Sequence, residues 1–143
     1  MASLAVIIHE RRGSWARQLR PRLAPRPIRW WETRSSADLD AALAGAVRPL
    51  VVIDLADRPR EHLRDLARVR PEAPDALILV LDPAEDHGTA AIARELGATL
   101  VLPGVATPPA VAALLARWLD LALGRIEAGG WGPHDDDHHD RPD

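Results

Sequence analysis

Three acidic residues stand where short apolar runs of the chain end, and they have the clearest potential for chemistry. These residues are Glu10, Asp54 and Asp82. Carboxylate oxygens are the ligands that Mg²⁺ and Ca²⁺ prefer, so converging carboxylates could hold a divalent cation. A simpler alternative is that Asp54 caps the following helix or pairs with an arginine, while Glu10 is solvated.

The charge composition limits what these acids can do. All 18 basic residues of the 143-residue chain are arginine, so no lysine is available to balance them. Cysteine is absent, which excludes disulfides and thiolate chemistry. A net charge of −3 with scattered arginines predicts no binding to nucleic acid. Because no apolar run approaches the roughly 20 residues of a membrane span, we expect no membrane insertion and a cytoplasmic location.

Five apolar runs alternate with stretches of helical periodicity. The runs cover residues 4–8, 28–31, 50–53, 77–81 and 99–102. The first, third and fourth are continuously apolar, which is typical of central parallel strands, whereas Arg29 marks the second as an edge strand. This alternation predicts an α/β domain with three αβα layers and a five-stranded parallel sheet in the flavodoxin-like order 2-1-3-4-5.

The helical and strand patterns stop near the carboxyl terminus. We therefore expect one domain over residues 1–126 and a disordered His/Asp-rich tail over residues 127–143. His134, His138 and His139 in that tail could bind transition metals adventitiously. By contrast, His9, His62 and His87 show no spacing typical of metal ligands, and the sequence predicts isolated surface or loop histidines.

Ligands of open parallel sheets bind beyond the carboxyl ends of the strands. The first, third and fourth strands are neighbours in the predicted order, so Glu10, Asp54 and Asp82 should converge at this edge. The predicted metal ligands are Glu10 and Asp54, with Asp82 nearby. The chain has no P-loop, nucleophile elbow or dinucleotide glycine motif, and the only cofactor that we consider is Mg²⁺.

The order of these residues resembles the receiver domains of response regulators over residues 3–124. Glu10, preceded by His9, matches the pair of acids with which receivers bind Mg²⁺, and Asp54 matches their phospho-acceptor aspartate. Gly97-Ala98 is similar to the Gly-Ala before their fifth strand. The resemblance implies the receiver fold and a role in signal transduction within a phosphorelay.

Two positions depart from the receiver pattern. Asp82 stands where receivers have Ser or Thr, and Leu102-Pro103 replaces their Lys-Pro. Phosphorylation would add a charge of about −2. Two like unit charges 4 Å apart repel by roughly 4 kcal/mol at an effective dielectric constant of 20. An ionised Asp82 close to Asp54 would therefore oppose the phosphorylated state.

Arginine is a poor replacement for the missing lysine. The arginines that could reach across the site are Arg11, Arg12, Arg58 and Arg60. A guanidinium is bulkier than an ammonium group and is fixed in a planar fork, so the exchange is not conservative. We therefore do not expect ordinary phospho-switching.

The fifth predicted helix has a wider apolar face than it needs in order to cover one face of the sheet. Its apolar residues span an arc of roughly 200°, against a stripe of about 100° or a little more for one buried face. The predicted interaction surface includes Leu114, Trp118 and Leu121, in the region through which receivers dimerise and bind targets. Alternatively, Leu121 and Leu123 could be covered by residues 124–131 folding back.

The sequence therefore predicts a non-catalytic, receiver-like signalling and interaction module. It has lost standard phospho-acceptor chemistry and binds a protein partner, a second copy of itself, or both. We do not expect an enzyme, because no nucleophile–base pair is evident. One alternative is an atypical receiver phosphorylated on Asp54, with Mg²⁺ held by Glu10 and Asp54. The other is a metal or small-ligand sensor that uses the acidic crevice.

Overall fold

A computed structural model describes residues 3–130 of the chain. Within this range, strands and helices alternate as the sequence predicts. The strands are β1 (Leu4–His9), β2 (Ile28–Thr33), β3 (Leu50–Asp54), β4 (Leu77–Asp82) and β5 (Leu100–Pro103). The helices are α1 (Ser14–Leu23), α2 (Ser36–Gly45), α3 (Pro59–Glu72), α4 (His87–Glu95) and α5 (Pro108–Gly130).

The five strands form one parallel sheet in the order β2-β1-β3-β4-β5. This confirms the predicted fold class, strand order and edge position of β2. The register places His9 beside Thr33 and Asp82 beside Pro103, at the carboxyl edge of the sheet. The ends of neighbouring strands therefore bring residues that are distant in sequence to the same edge.

The sheet is covered on both faces. Helices α1 and α5 pack on one face through Leu19, Leu115 and other buried residues. Helices α2, α3 and α4 pack on the other face, where Leu39 and Leu66 are fully buried. Because both faces are covered, the central strands β1, β3 and β4 are apolar along nearly their whole length.

Helix α5 ends the described part of the chain. The expected domain boundary at residue 126 falls inside this helix. Residues 131–143, which include the three histidines of the predicted tail, lie outside the described residues. In the described range, no helix has the length and apolar character needed to cross a lipid bilayer.

Candidate functional site

The carboxyl edge of the sheet brings together the three acids singled out in the sequence. Asp54 and Asp82 are the last residues of β3 and β4, and Glu10 directly follows β1. Glu10 and Asp82 are buried, whereas Asp54 is half-buried. The charge of Glu10 acts on Asp54, together with charges of His62 and Asp57.

The Glu10 carboxylate caps helix α1. Its Oε1 accepts a hydrogen bond from the backbone N–H of Trp15 at 2.9 Å, and its Oε2 accepts one from Ala16 at 2.8 Å. The N-cap residue Gly13 has no side chain that could accept from these amides, so Glu10 takes over that role. Glu10 is therefore not solvated, and a metal ion would have to share its oxygens with the helix.

Asp54 is the most exposed of the three acids. Its Oδ1 accepts a hydrogen bond from the backbone N–H of Ala56 at 3.0 Å. Burial raises the pKa of Asp54 above its ordinary value and the charge of Glu10 adds to this, while the Ala56 hydrogen bond opposes it. The site therefore disfavours even a single negative charge on Asp54.

Two of the four arginines that could reach this edge, Arg12 and Arg58, are paired with other acids. Arg12 Nε lies 3.1 Å from Asp57 Oδ2, and Arg58 Nη1 lies 3.3 Å from Glu61 Oε2. Among the side chains of residues 3–124, no ion pair joins an arginine to Asp54. In the described part of the chain, no arginine therefore takes the place of the missing lysine beside Asp54.

Two acidic residues, Asp82 and Glu85, lie against the turn that follows β5. The main-chain carbonyl of Asp82 accepts a hydrogen bond from Gly104 N–H at 2.8 Å, and the Asp82 carboxylate accepts one from Asp86 N–H at 3.1 Å. Gly104 has a φ of 79°, and a Cβ placed there would lie 2.6 Å from Glu85 Oε1. The Glu85 carboxylate thus lies against the turn that follows β5.

A groove adjoins this turn on the side of α3 and α4. It has a volume of about 370 Å³, and its lining includes Asp57, Asp82 and Asp86. Of the three acids singled out in the sequence, the groove is lined by Asp82, together with Asp57 and Asp86 from the loops that follow β3 and β4.

The sequence-based prediction for His9 and His62 is wrong. Both side chains are buried, with exposed fractions of 0% and 3%, and their rings contact edge to face with centroids 5.2 Å apart. His9 ends the central strand β1, and His62 lies on the buried face of α3, so both point into the layer between sheet and helices. His87 is exposed at the start of α4.

A buried hydrogen-bond network surrounds these histidines. His9 lies between Thr33, whose Oγ1 is 2.7 Å from Nδ1, and Asp65, whose Oδ2 is 2.8 Å from Nε2. The Ser36 hydroxyl donates to Asp65 Oδ1 at 2.6 Å, which is possible because Ser35 and not Ser36 caps α2. His62 Nδ1–H donates to the main-chain carbonyl of Asp54.

Burial lowers the pKa of His9, although the hydrogen bond and charge of Asp65 oppose this. The neutral ring donates from Nε2 to the Asp65 carboxylate and accepts at Nδ1 from the Thr33 hydroxyl. The network therefore satisfies both nitrogens of His9 without a charge on the ring.

The helical spacing of α3 contained a signal for this network. His62 and Asp65 share the buried face of the helix with Leu66 and Val69, at intervals of three and four residues. Polar residues on an apolar stripe require polar partners from the element that they face. That partner is His9, at the end of an otherwise apolar strand.

The predicted interaction surface on α5 is only partly exposed. Leu121 has an exposed fraction of 62%, whereas Leu114 and Trp118 are partly buried against the core on the α1 side of the sheet. Arg26 holds the neighbouring Asp120 through Nε at 2.8 Å and Nη2 at 3.2 Å. This bidentate pair fixes α5 beside the turn that follows α1.

Several solved structures have an architecture similar to that of this chain. A CheY-like response regulator receiver domain protein from Methanospirillum hungatei is 10% identical with a TM-score of 0.71, over 87% of this chain and 99% of that chain. A response regulator protein from Burkholderia pseudomallei, solved with a phosphorylated aspartic acid, a calcium ion and citrate, is 19% identical with a TM-score of 0.68, over 87% and 73%. A structure described as an adenylate cyclase from Rhodopirellula baltica is 15% identical with a TM-score of 0.67, over 91% and 99%.

The sequence itself matches no protein-family model and no curated protein. Identities this low establish a shared fold, and the functional argument has to come from the site. The resemblance of the sequence to receiver domains is therefore confirmed at the level of the fold. This chain has the fold of the CheY-like receiver domains of response regulators.

Proposed function

We propose that this chain is a non-catalytic signalling module that acts through protein contacts and has lost standard phospho-acceptor chemistry. The observation that carries this proposal is the identity of the residues at the end of β5. In the domains that the sequence resembles, a lysine at this point holds the phosphoryl group. Here Leu102-Pro103 occupies the position, and the Glu85 carboxylate lies against the following Gly104.

The electrostatics of the edge support the loss of phosphotransfer. A phosphoryl group on Asp54 would carry a charge of about −2 among several carboxylates. The raised pKa of Asp54 already reflects the cost of one charge there. Two of the four arginines that could reach the site, Arg12 and Arg58, are paired with other acids, so compensation by either of them would require breaking its pair.

The exposed part of α5 is the surface that we propose for protein contacts. Leu121 is exposed to solvent and lies beside the partly buried Trp118. The Arg26–Asp120 ion pair helps to hold this helix in position. A large apolar side chain on a rigid helix is a suitable contact for a second copy of the chain or for another protein.

A second candidate function is an atypical receiver phosphorylated on Asp54. The observation in its favour is that Asp54 is half-exposed, with a single hydrogen bond to its carboxylate. The Burkholderia pseudomallei structure carries a phosphorylated aspartic acid and a calcium ion on the same fold. A sensor of metals or small ligands would instead use the acidic groove beside Asp82.

Light scattering of paired variants tests the proposed contact. Leu121→Glu adds a charge to the exposed face of α5, and we expect it to increase the monomer fraction. Val47→Glu is the matched control, because Val47 is also exposed and apolar but follows α2 on the other side of the sheet. Asp54→Asn should leave association unchanged. A wild-type chain that is monomeric at every concentration, or equal effects of both glutamates, would contradict self-association through α5.

A further inference from the structure

Three buried side chains beneath the carboxyl edge have the composition of a transition-metal site. His9, His62 and Asp65 each offer one ligand atom, and these atoms lie within 4.8 Å of one another. None of these residues is among the acids predicted to bind Mg²⁺. The three residues come from the end of β1 and the buried face of α3.

Each of the three side chains is also oriented by a hydrogen bond to a residue outside the cluster. His62 Nδ1–H donates to the Asp54 carbonyl, which leaves Nε2 as the ring nitrogen that can bind a metal ion. His9 contacts Thr33 Oγ1 through Nδ1, and Asp65 accepts from Ser36 through Oδ1. Imidazole ligands oriented by carbonyl or hydroxyl groups, and carboxylates that are themselves hydrogen-bonded, are the usual surroundings of protein metal ions.

The local charge also suits a cation. Asp65 is the carboxylate of the cluster, and the negative charge of Asp38 acts on His9 from the start of α2. The cluster holds no arginine contact among its hydrogen bonds in the described residues. A divalent ion would therefore meet one carboxylate ligand and a second acid nearby.

From this geometry we propose that His9, His62 and Asp65 bind Zn²⁺. Two imidazole nitrogens and one carboxylate oxygen are ligands of zinc, whereas Mg²⁺ and Ca²⁺ prefer oxygen alone. Three protein ligands leave the fourth tetrahedral position to water. The ion takes the place of the proton between His9 Nε2 and Asp65. That proton moves to Nδ1, and the Thr33 hydroxyl changes from donor to acceptor.

The ligand atoms lie near the spacing that zinc requires. Zinc bonds of about 2.0–2.1 Å place tetrahedral ligand atoms roughly 3.3 Å apart. The 2.8 Å separation between His9 Nε2 and Asp65 Oδ2 has to open slightly, and the ligand atom of His62 lies within 4.8 Å of both. Because His62 is bonded to the Asp54 carbonyl, zinc would also stabilise the end of β3.

Calorimetric titration with Zn²⁺ tests the site in the full chain. The terminal histidines have to be removed first, so the background carries His134→Ala, His138→Ala and His139→Ala. We expect this background to bind one equivalent of Zn²⁺, with affinity lowered about 100-fold or more by His62→Gln or Asp65→Asn. His87→Gln is the matched control, because His87 is an exposed histidine outside the cluster, and it should bind as the background does. Thr33→Val should weaken binding by about 10–100-fold.

A measurement without substitutions in the cluster covers the case in which a variant fails to fold. In the ¹⁵N spectrum of the background chain, we expect the imidazole signals of His9 and His62 to shift and saturate at one equivalent of Zn²⁺, while those of His87 stay in place. Zinc binding that disappears with the terminal histidines would show binding by the tail only and overturn the proposal. Unchanged signals of His9 and His62 at saturating Zn²⁺ would overturn it equally, as would undiminished affinity in a folded His62→Gln variant.

Discussion

His62 donates a hydrogen bond from Nδ1 to the main-chain carbonyl of Asp54, and so joins the buried histidine network to the strand that carries the candidate phospho-acceptor. The contact is made to the backbone, which leaves the Asp54 carboxylate directed to the partly exposed edge. The interior of the domain can therefore affect the position of Asp54 through its backbone.

Asp54→Asn is expected to raise the melting temperature at pH 7. The pKa of Asp54 is higher in the folded than in the unfolded chain, so its ionised form destabilises the folded state. The gain in melting temperature should be greatest above the folded-state pKa of Asp54. It should vanish as the pH falls below the ordinary value of about 3.9, where Asp54 is neutral in both the folded and the unfolded chain. Calorimetric melting curves between acid and neutral pH measure this.

Asp75→Asn is the control for that prediction. Asp75 is exposed and pairs with Arg48, so the loss of its charge should not stabilise the fold. A lower melting temperature for Asp54→Asn at pH 7 would mean that the Asp54 carboxylate makes a stabilising contact beyond its hydrogen bond to Ala56.

Glu10→Ala is expected to destabilise the domain by about 1–2 kcal/mol, because two amides at the start of α1 lose their acceptor. Urea unfolding monitored by tryptophan fluorescence measures the loss. Glu61→Ala, on the exposed start of α3, should cost no more than about 0.5 kcal/mol, since its pair with Arg58 is a surface pair. Equal losses would show that Glu10 does not act as the cap of α1.

Arg70→Leu is expected to cost about 2 kcal/mol, because a charged donor is lost from several carbonyls. The Arg70 guanidinium donates to the carbonyls of Pro74, Ala76 and Gly97, and so joins the end of α3 to the segments before β4 and β5. Urea unfolding compares it with Arg68→Leu, which removes only an exposed pair with Asp40. A comparable loss for Arg68→Leu would contradict this role of Arg70.

The layered fold could be predicted because its signal is local and repeated. The apolar runs of β1, β3 and β4 are long enough to require cover on both faces, and Arg29 identified the edge strand. The same runs fixed where each strand ends, so Asp54 and Asp82 could be assigned to the carboxyl edge before the structure was known.

The contacts of the site could be predicted only in part, since they depend on pairs that are distant in sequence. Glu10 was recognised as a site residue, but its bonds to α1 depend on how the chain turns at Gly13. His9 and Asp65 are 56 positions apart, and their contact follows from the packing of α3 on β1. A search for short ligand motifs therefore misses it, whereas the polar residues on the buried face of α3 could have indicated it.

The most direct test of the lost acceptor chemistry follows the indole NMR signals of the five tryptophans during addition of Mg²⁺ and then beryllofluoride, a phosphoryl analogue. Trp15 is a suitable reporter, because its backbone amide is bonded to the Glu10 carboxylate at the same edge. The proposed function predicts that the signals stay unchanged through both additions. Shifts that saturate with Mg²⁺ and beryllofluoride, and that Asp54→Asn abolishes, would show that the acceptor site works and would contradict the proposal.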